Sequence, residues 1–202
     1  MLNAYYKANL SFAMEHRVIA HPIVYQGPLL TVYRWDQPLA DGTTAVFERC
    51  VRPDSVCVLA FLDPETVLLV REKPIEGSHT FLDLPGGRVD QSEEHEAAAR
   101  RELREETGYE AKRFLLWNQE SWSGLQSFKS SLFIATDLKP FVGKQATHDP
   151  TEQIEIIRMP FTELKEFCLR QDLRRTQANL AILRLAYDQN AKERLATFLA
   201  GS

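Results

Sequence analysis

The stretch from Gly87 to Tyr109, GRVDQSEEHEAAARRELREETGY, constrains this chain more than any other. Glu102, Glu105 and Glu106 stand three and four residues apart, so on a helix turning about 100° per residue their carboxylates share one face. Like charges so placed repel one another, and a hard, oxygen-seeking cation such as Mg²⁺ or Mn²⁺ is the natural group to hold among them. The same spacing also fits a charged surface helix with alternating signs. The flanks predict a helix from about Gln91 to Thr107, with Asp90 as N-cap, Glu93 as its capping-box partner, and Gly108 closing the C-terminus in a left-handed conformation. On that helix Ala98 is expected to leave room for a ligand on the carboxylate face, while Ala99 and Leu103 pack on a sheet. Arg100, Arg104 and His95 are expected at the surface.

The identities within the stretch say more than the helix does. Gly87, five residues, Glu93, seven residues, Arg101-Glu102-Leu103, one residue, Glu105-Glu106, one residue and Gly108 followed by a bulky residue resemble the Nudix box. Leu103 fills an apolar slot of that pattern, and the other seven identities would coincide by chance on the order of once in a million chains of this length. Tyr109 stands where the family usually has Ile, Leu or Val, and can fill an apolar slot. The resemblance implies an α+β fold, an α/β/α sandwich with a mixed central sheet, a catalytic helix and an N-terminal antiparallel β segment. It implies metal-dependent hydrolysis of a diphosphate linkage in a small nucleotide. By the same resemblance Glu102 and Glu106 are the main metal ligands, Glu105 reaches a further ion, and the carbonyl of Gly86 joins them. Glu93 and Arg101 orient the ligand helix through an ion pair. Glu152, or failing that Glu105, accepts the proton of the attacking water; Glu152 reads equally well as a solvated loop acid.

The rest of the chain is read around that stretch. Residues 1–50 look like a strand-rich segment, with a Gly-Pro break at Gly27-Pro28 and an Asp-Gly turn at Asp41-Gly42. Residues 51–202 are then the Nudix domain. SVCVLAFLD and TVLLVREK read as a buried hairpin, AKRFLLWNQE and SSLFIATDL as two strands joined by SWSGLQSFK, and QIEIIRM as another strand after a long polar connection. Three helical patterns follow Pro160. Related enzymes acting on ADP-ribose and similar nucleoside diphosphate sugars carry a preceding sheet that forms a homodimer, so a homodimer and such a substrate are expected. Trp35 either stacks a nucleobase or packs in a core or dimer interface. Those relatives carry Gln-Tyr-Arg where this chain has Glu72-Lys73-Pro74, so the arginine that would meet substrate phosphate is missing, and Arg71 or Lys73 is expected to substitute. A nucleoside triphosphate or a dinucleotide is the alternative substrate, and a non-catalytic nucleotide-binding module the alternative class.

Composition narrows the setting. A net charge of −4 leaves no electrostatic footprint for nucleic acid or an anionic membrane. No stretch reads as a secretory leader or a membrane span, and a soluble cytoplasmic protein is expected. Cys50, Cys57 and Cys168 are an odd number without CxxC spacing, which argues for reduced thiols and against structural zinc.

Overall fold

Before position 52 the β-branched and aromatic residues form three strands, β1 (Ile23–Gln26), β2 (Thr31–Pro38) and β3 (Thr44–Val51). The computed structural model describes residues 21–73, 80–143, 153–170, 173 and 175–201. Among these the chain divides into two compact units, one of residues 21–52 with 123–127, the other of residues 53–122 with 128–201. In the first unit β2 pairs antiparallel with both β1 and β3, from Thr31↔Val51 to Pro38↔Thr44 on the β3 side. The expected turn at Asp41-Gly42 joins β2 to β3, and Asp41 Oδ1 accepts from the Thr43 amide and hydroxyl at 2.9 and 2.7 Å. Cys50 and Val51 pair in parallel with Gln126 and Ser127.

The second unit is built on strands of which the central ones are buried on both faces. The strands are β4 (Ser55–Phe61), β5 (Thr66–Lys73), β6 (Phe81–Asp83), β7 (Tyr109–Ser123), β8 (Gln126–Pro140) and β9 (Gln153–Pro160). Strand β4 runs parallel to β8, from Ser55↔Ser130 to Ala60↔Ala135, and antiparallel to β5. The antiparallel β9 follows β5 along its length, and β6 pairs with Val70 to Glu72. Alternation along the strands then builds two cores. Val56, Val58, Ala60 and Leu68 pack with Ala98, Ala99 and Leu103 of helix α1 (His95–Thr107). Cys57, Leu59, Phe61, Val67 and Leu69 pack with residues of α2 (Phe161–Leu169), α3 (Thr176–Tyr187) and α4 (Gln189–Ala200). A mixed sheet between helix layers is the expected α/β/α sandwich. No helix among the described residues is long and apolar enough to cross a membrane.

Three expectations need correction. Helix α1 begins at His95, four residues later than Gln91, because Ser92 takes a φ of 66° that no α-helix can include. Glu93 still reaches back to the Asp90 amide at 3.1 Å, as a capping-box acid does, but this closes a turn ahead of the helix. Ala98 is fully buried against the sheet and leaves no ligand space on the carboxylate face. The SWSGLQSFK segment is mostly strand, with β7 and β8 extended to Ser123 and Gln126, and the Trp122 and Phe128 rings stacked 5.8 Å apart at 1°.

Candidate active site

Two glycines bring the carboxylates of α1 against the edge of β4. Pro85 and Gly87 accept from the amides of Val58 and Val56 at 2.8 and 2.9 Å, which holds the loop along the strand. A Cβ on Gly86 would collide with the Val56 carbonyl, and Gly86 has a φ of 153° that L-residues rarely adopt. A Cβ on Gly87 would collide with the Glu102 carboxylate. The Gly86 amide donates to Glu106 Oε2 at 2.8 Å. The loop therefore touches both Glu102 and Glu106 with its backbone alone.

Arg101 organises the carboxylates nearer solvent. Its Nε and Nη2 donate to the two oxygens of Glu93 at 3.1 and 3.0 Å, a bidentate pair. Nη1 donates to Glu102 Oε1 at 2.8 Å and to Glu105 Oε2 at 3.1 Å, and Nη2 also reaches the Arg88 carbonyl at 2.9 Å. The hydrogen bond from Arg101 holds Glu93 below the usual carboxylate range, and Glu93 in turn is the main cause that raises the pKa of Arg101.

Glu102 and Glu106 are the more deeply set carboxylates, Glu102 partnered by Arg101 and Glu106 by the Gly86 amide. Burial pushes the Glu106 pKa up to about 9, against the opposing Gly86 amide, in a residue only 7% exposed. Burial likewise raises that of Glu102, against the opposing Arg101. A second guanidinium stands close by. Arg175, the N-cap residue of α3, donates from Nη1 to the Leu84 carbonyl at 3.0 Å and from Nη2 to the Gly86 carbonyl at 2.9 Å. Its Nη1 lies 3.3 Å from Asp83 Oδ2, a carboxylate only 1% exposed. The charge of Arg175 acts on both Glu102 and Glu106.

This donor set fits a hard divalent cation. It is all oxygen, two of its carboxylates are raised in pKa by burial, and a cation would restore their charged form. The set is not preassembled: among the described residues no three His, Cys, Asp or Glu side chains converge as a ready metal group. The hydrogen bonds to Arg101 and Gly86 explain why, since each carboxylate already has a donor to satisfy.

A profile of the NUDIX domain matches residues 51–180. The chain belongs to the Nudix family. It is 35% identical over 103 residues to the ADP-ribose pyrophosphatase of Bacillus subtilis, a stretch covering 50% of this chain and 55% of that protein. The chain thus spans about half the length of that relative. Along 89% of its length it is 25% identical to the Methanol dehydrogenase activator of Bacillus methanolicus, covering 97% of that protein. A crystal structure of an ADP compounds hydrolase superposes with a TM-score of 0.71 at 24% identity, covering 87% of this chain and 95% of the other, and shows the same fold. Nudix enzymes generally use a divalent metal.

The structure of this Nudix domain brings Glu93, Arg101, Glu102 and Glu105 into one hydrogen-bonded set, with Glu106 on Gly86 beside it. Glu152 lies outside the described residues. Arg71 does not join the set: its Nη1 pairs with Glu155 across β5 and β9 at 2.6 Å, and strand alternation turns it away from its neighbour Glu72, whose charge acts on Glu106. Lys73 is exposed at the end of β5. Trp35 stands in the other unit, where its ring stacks on His21 at 4.3 Å and its Nε1 donates to Gln37 at 3.0 Å.

His95, Arg100 and Arg175 were each misplaced or passed over in the sequence. His95 bridges Ser131 Oγ at 2.7 Å and Asp54 Oδ2 at 3.1 Å, tying the first turn of α1 to the sheet rather than facing solvent. Arg100 pairs with Glu96 and lies over the Phe114 ring, 4.2 Å from its centroid. Arg175 belongs to no motif, and no spacing in RRTQANL distinguishes it from Arg174.

Proposed function

We propose that the chain hydrolyses the diphosphate linkage of a nucleoside diphosphate sugar, giving a nucleoside monophosphate and a sugar phosphate. The observation that carries this reading is the pair of buried Glu106 and mostly buried Glu102, both raised in pKa and both set against the Gly86-Gly87 backbone. Glu102, Glu105 and Glu106, with the Gly86 carbonyl, would hold Mg²⁺ or Mn²⁺, which when bound neutralises charge building on the phosphoryl oxygens and lowers the pKa of a water. Glu93 and Arg101 keep α1 in register with the loop, so that the carboxylates do not reorganise as charge moves. Water oxygen bonds to one phosphorus, the bridging P–O bond breaks, and the other phosphate leaves with its electron pair. Glu152, or failing that a Glu105 carboxylate oxygen, takes the water's proton. Lys73, exposed at the end of β5, is suited to reach a phosphate as a point charge. The existing stack of Trp35 on His21 supports its packing role over nucleobase binding.

The names of the Bacillus subtilis relative and of the structural neighbour fit this substrate class. Exposed apolar side chains of the N-terminal unit, among them Tyr25, Leu30, Val46 and Phe47, support a homodimer, and sedimentation showing only monomer at micromolar concentration would rule it out. Three free cysteines, two of them buried, suit a reducing cytoplasm. The decisive experiment measures phosphate release from ADP-ribose, GDP-mannose, UDP-glucose and nucleoside triphosphates with Mg²⁺ or Mn²⁺, using a phosphatase to reveal monophosphate products. Metal-dependent cleavage of one sugar nucleotide above the others is expected. Turnover of triphosphates alone would replace the substrate class, and silence on every compound would favour a binding module.

A further inference from the structure

The phosphate-binding arginine expected near Lys73 is absent, and Arg71 is committed to Glu155 away from the carboxylates. Of the guanidiniums whose charge acts on Glu102, Arg101 is fully engaged: Nε, Nη1 and Nη2 all donate within the carboxylate set or to Arg88. Arg175 is engaged differently: it donates to two backbone carbonyls, those of Leu84 and Gly86, and its Nη1 is paired at 3.3 Å with buried Asp83, which leaves Nη2, on the Gly86 carbonyl, as the arm that can turn to another acceptor. Its side chain is 24% exposed, and on the side away from the α1 carboxylates it lines a small concavity with Cys57, Asn118, Glu120 and Gln177.

We propose that Arg175 is the substrate-phosphate arginine of this chain, and that in the free protein it rests on the Gly86 carbonyl from which it moves to the bound diphosphate. The inference rests on the reading of the chain as a diphosphate hydrolase. Gly86 is the hinge of the argument, since its amide serves Glu106 while its carbonyl serves Arg175, so one peptide residue separates guanidinium from carboxylate. A diphosphate brought to Glu102 and Glu106 by a divalent cation places its remaining anionic oxygens beside that guanidinium, whose fork matches them. The same carbonyl is one the cation would take. Two positive groups on one oxygen repel, so cation and Arg175 compete for Gly86 in the free protein, and the arriving phosphate gives Arg175 a better acceptor.

Competition separates this role from that of a simple brace on the loop. The test uses the full chain with Arg175→Gln and Arg175→Lys, after melting curves establish folding. Two equilibria are measured by calorimetry: Mn²⁺ alone, and α,β-methylene-ADP, a diphosphate that cannot be cleaved, in the presence of Mn²⁺. Arg175→Gln is expected to tighten Mn²⁺ several-fold and to weaken the nucleotide about ten-fold or more, with Arg175→Lys recovering part of the nucleotide affinity. Unchanged nucleotide affinity in Arg175→Gln would overturn the phosphate role. Weaker binding of Mn²⁺ and nucleotide together would overturn it in favour of a loop brace. Failure of the unaltered chain to bind α,β-methylene-ADP and its guanosine and uridine counterparts alike would defeat the diphosphate reading, and Arg175 with it.

Discussion

Arg101 and Arg175 both act on the carboxylates of α1, yet they are held in opposite ways. Arg101 sits on the helix itself and donates to side chains: Glu93, Glu102 and Glu105. Arg175 comes from the start of α3; it donates to backbone, the carbonyls of Leu84 and Gly86, and its charge is paired with buried Asp83 outside the α1 set. The carboxylates on the Arg101 side are matched by charge. The one on the glycine side, Glu106, is met among the described residues by an amide hydrogen bond and by the more distant field of Arg175, and burial raises its pKa to about 9. Under the proposed function, the difference marks the glycine-side end, where burial favours the protonated acid, as the place where a bound cation would change the carboxylate set most.

The largest effect that would sharpen this contrast comes from Glu106→Gln. The amide keeps the shape and can still accept from the Gly86 amide, so the fold should survive while the metal-binding charge is lost. We expect kcat to fall by about a thousand-fold at saturating Mg²⁺, a loss on the order of 4 kcal/mol in transition-state stabilisation. Activity within a few-fold of the unaltered chain would remove Glu106 from the ligand set. Arg101→Ala should cost less, about thirty-fold in kcat, because it leaves the carboxylates present but unanchored and mutually repelling. A steady-state comparison of the two variants reads the contrast directly. If Arg101→Ala were the more damaging, the outer network rather than the buried carboxylate would be the seat of catalysis.

These two arginines also mark what the sequence made legible. Arg101 and its acids lie within one helix and the turn before it, so helical spacing and the Nudix resemblance placed them together, and the structure does the same. The sandwich was legible for a similar reason: the apolar runs of β4 and β5 and the helical periods after Pro160 each carry their own pattern. Arg175 lies 89 residues from the glycine it meets, and its partner there is a carbonyl, which no side-chain motif advertises. The start of α1 was misread because Asp90 and Glu93 have capping-box chemistry whichever turn they close, and only the backbone of Ser92 decides which. Ala98 failed by geometry. Four residues before Glu102 it is offset by about 40° on the helix, enough to carry a small side chain from the carboxylate face into the sheet.

The smallest expected effect concerns stability without metal, and it tests whether burial at the glycine-side end favours the protonated acid. Glu106 has an ordinary carboxyl pKa of 4.5 when unfolded and about 9 when folded. Between those values the unfolded chain has released a proton that the folded chain keeps, so stability is greatest below about 4.5 and declines as pH rises through about 9. Glu102 is shifted in the same direction and adds to the decline. Glu93 is shifted the other way, and its contribution is lost only as pH falls through its lowered folded value, outside this window. The metal-free chain should therefore lose several degrees of Tm between pH 6 and pH 9, about 2–4 °C for each kcal/mol in a protein of this size. Glu106→Gln, unable to ionise, should lose measurably less over the same range, and saturating Mn²⁺ should flatten the curve of the unaltered chain by supplying the missing charge. Parallel melting curves for chain and variant, with no flattening by Mn²⁺, would mean that Glu106 is already satisfied from within, and the contrast between the two ends of the carboxylate set would collapse.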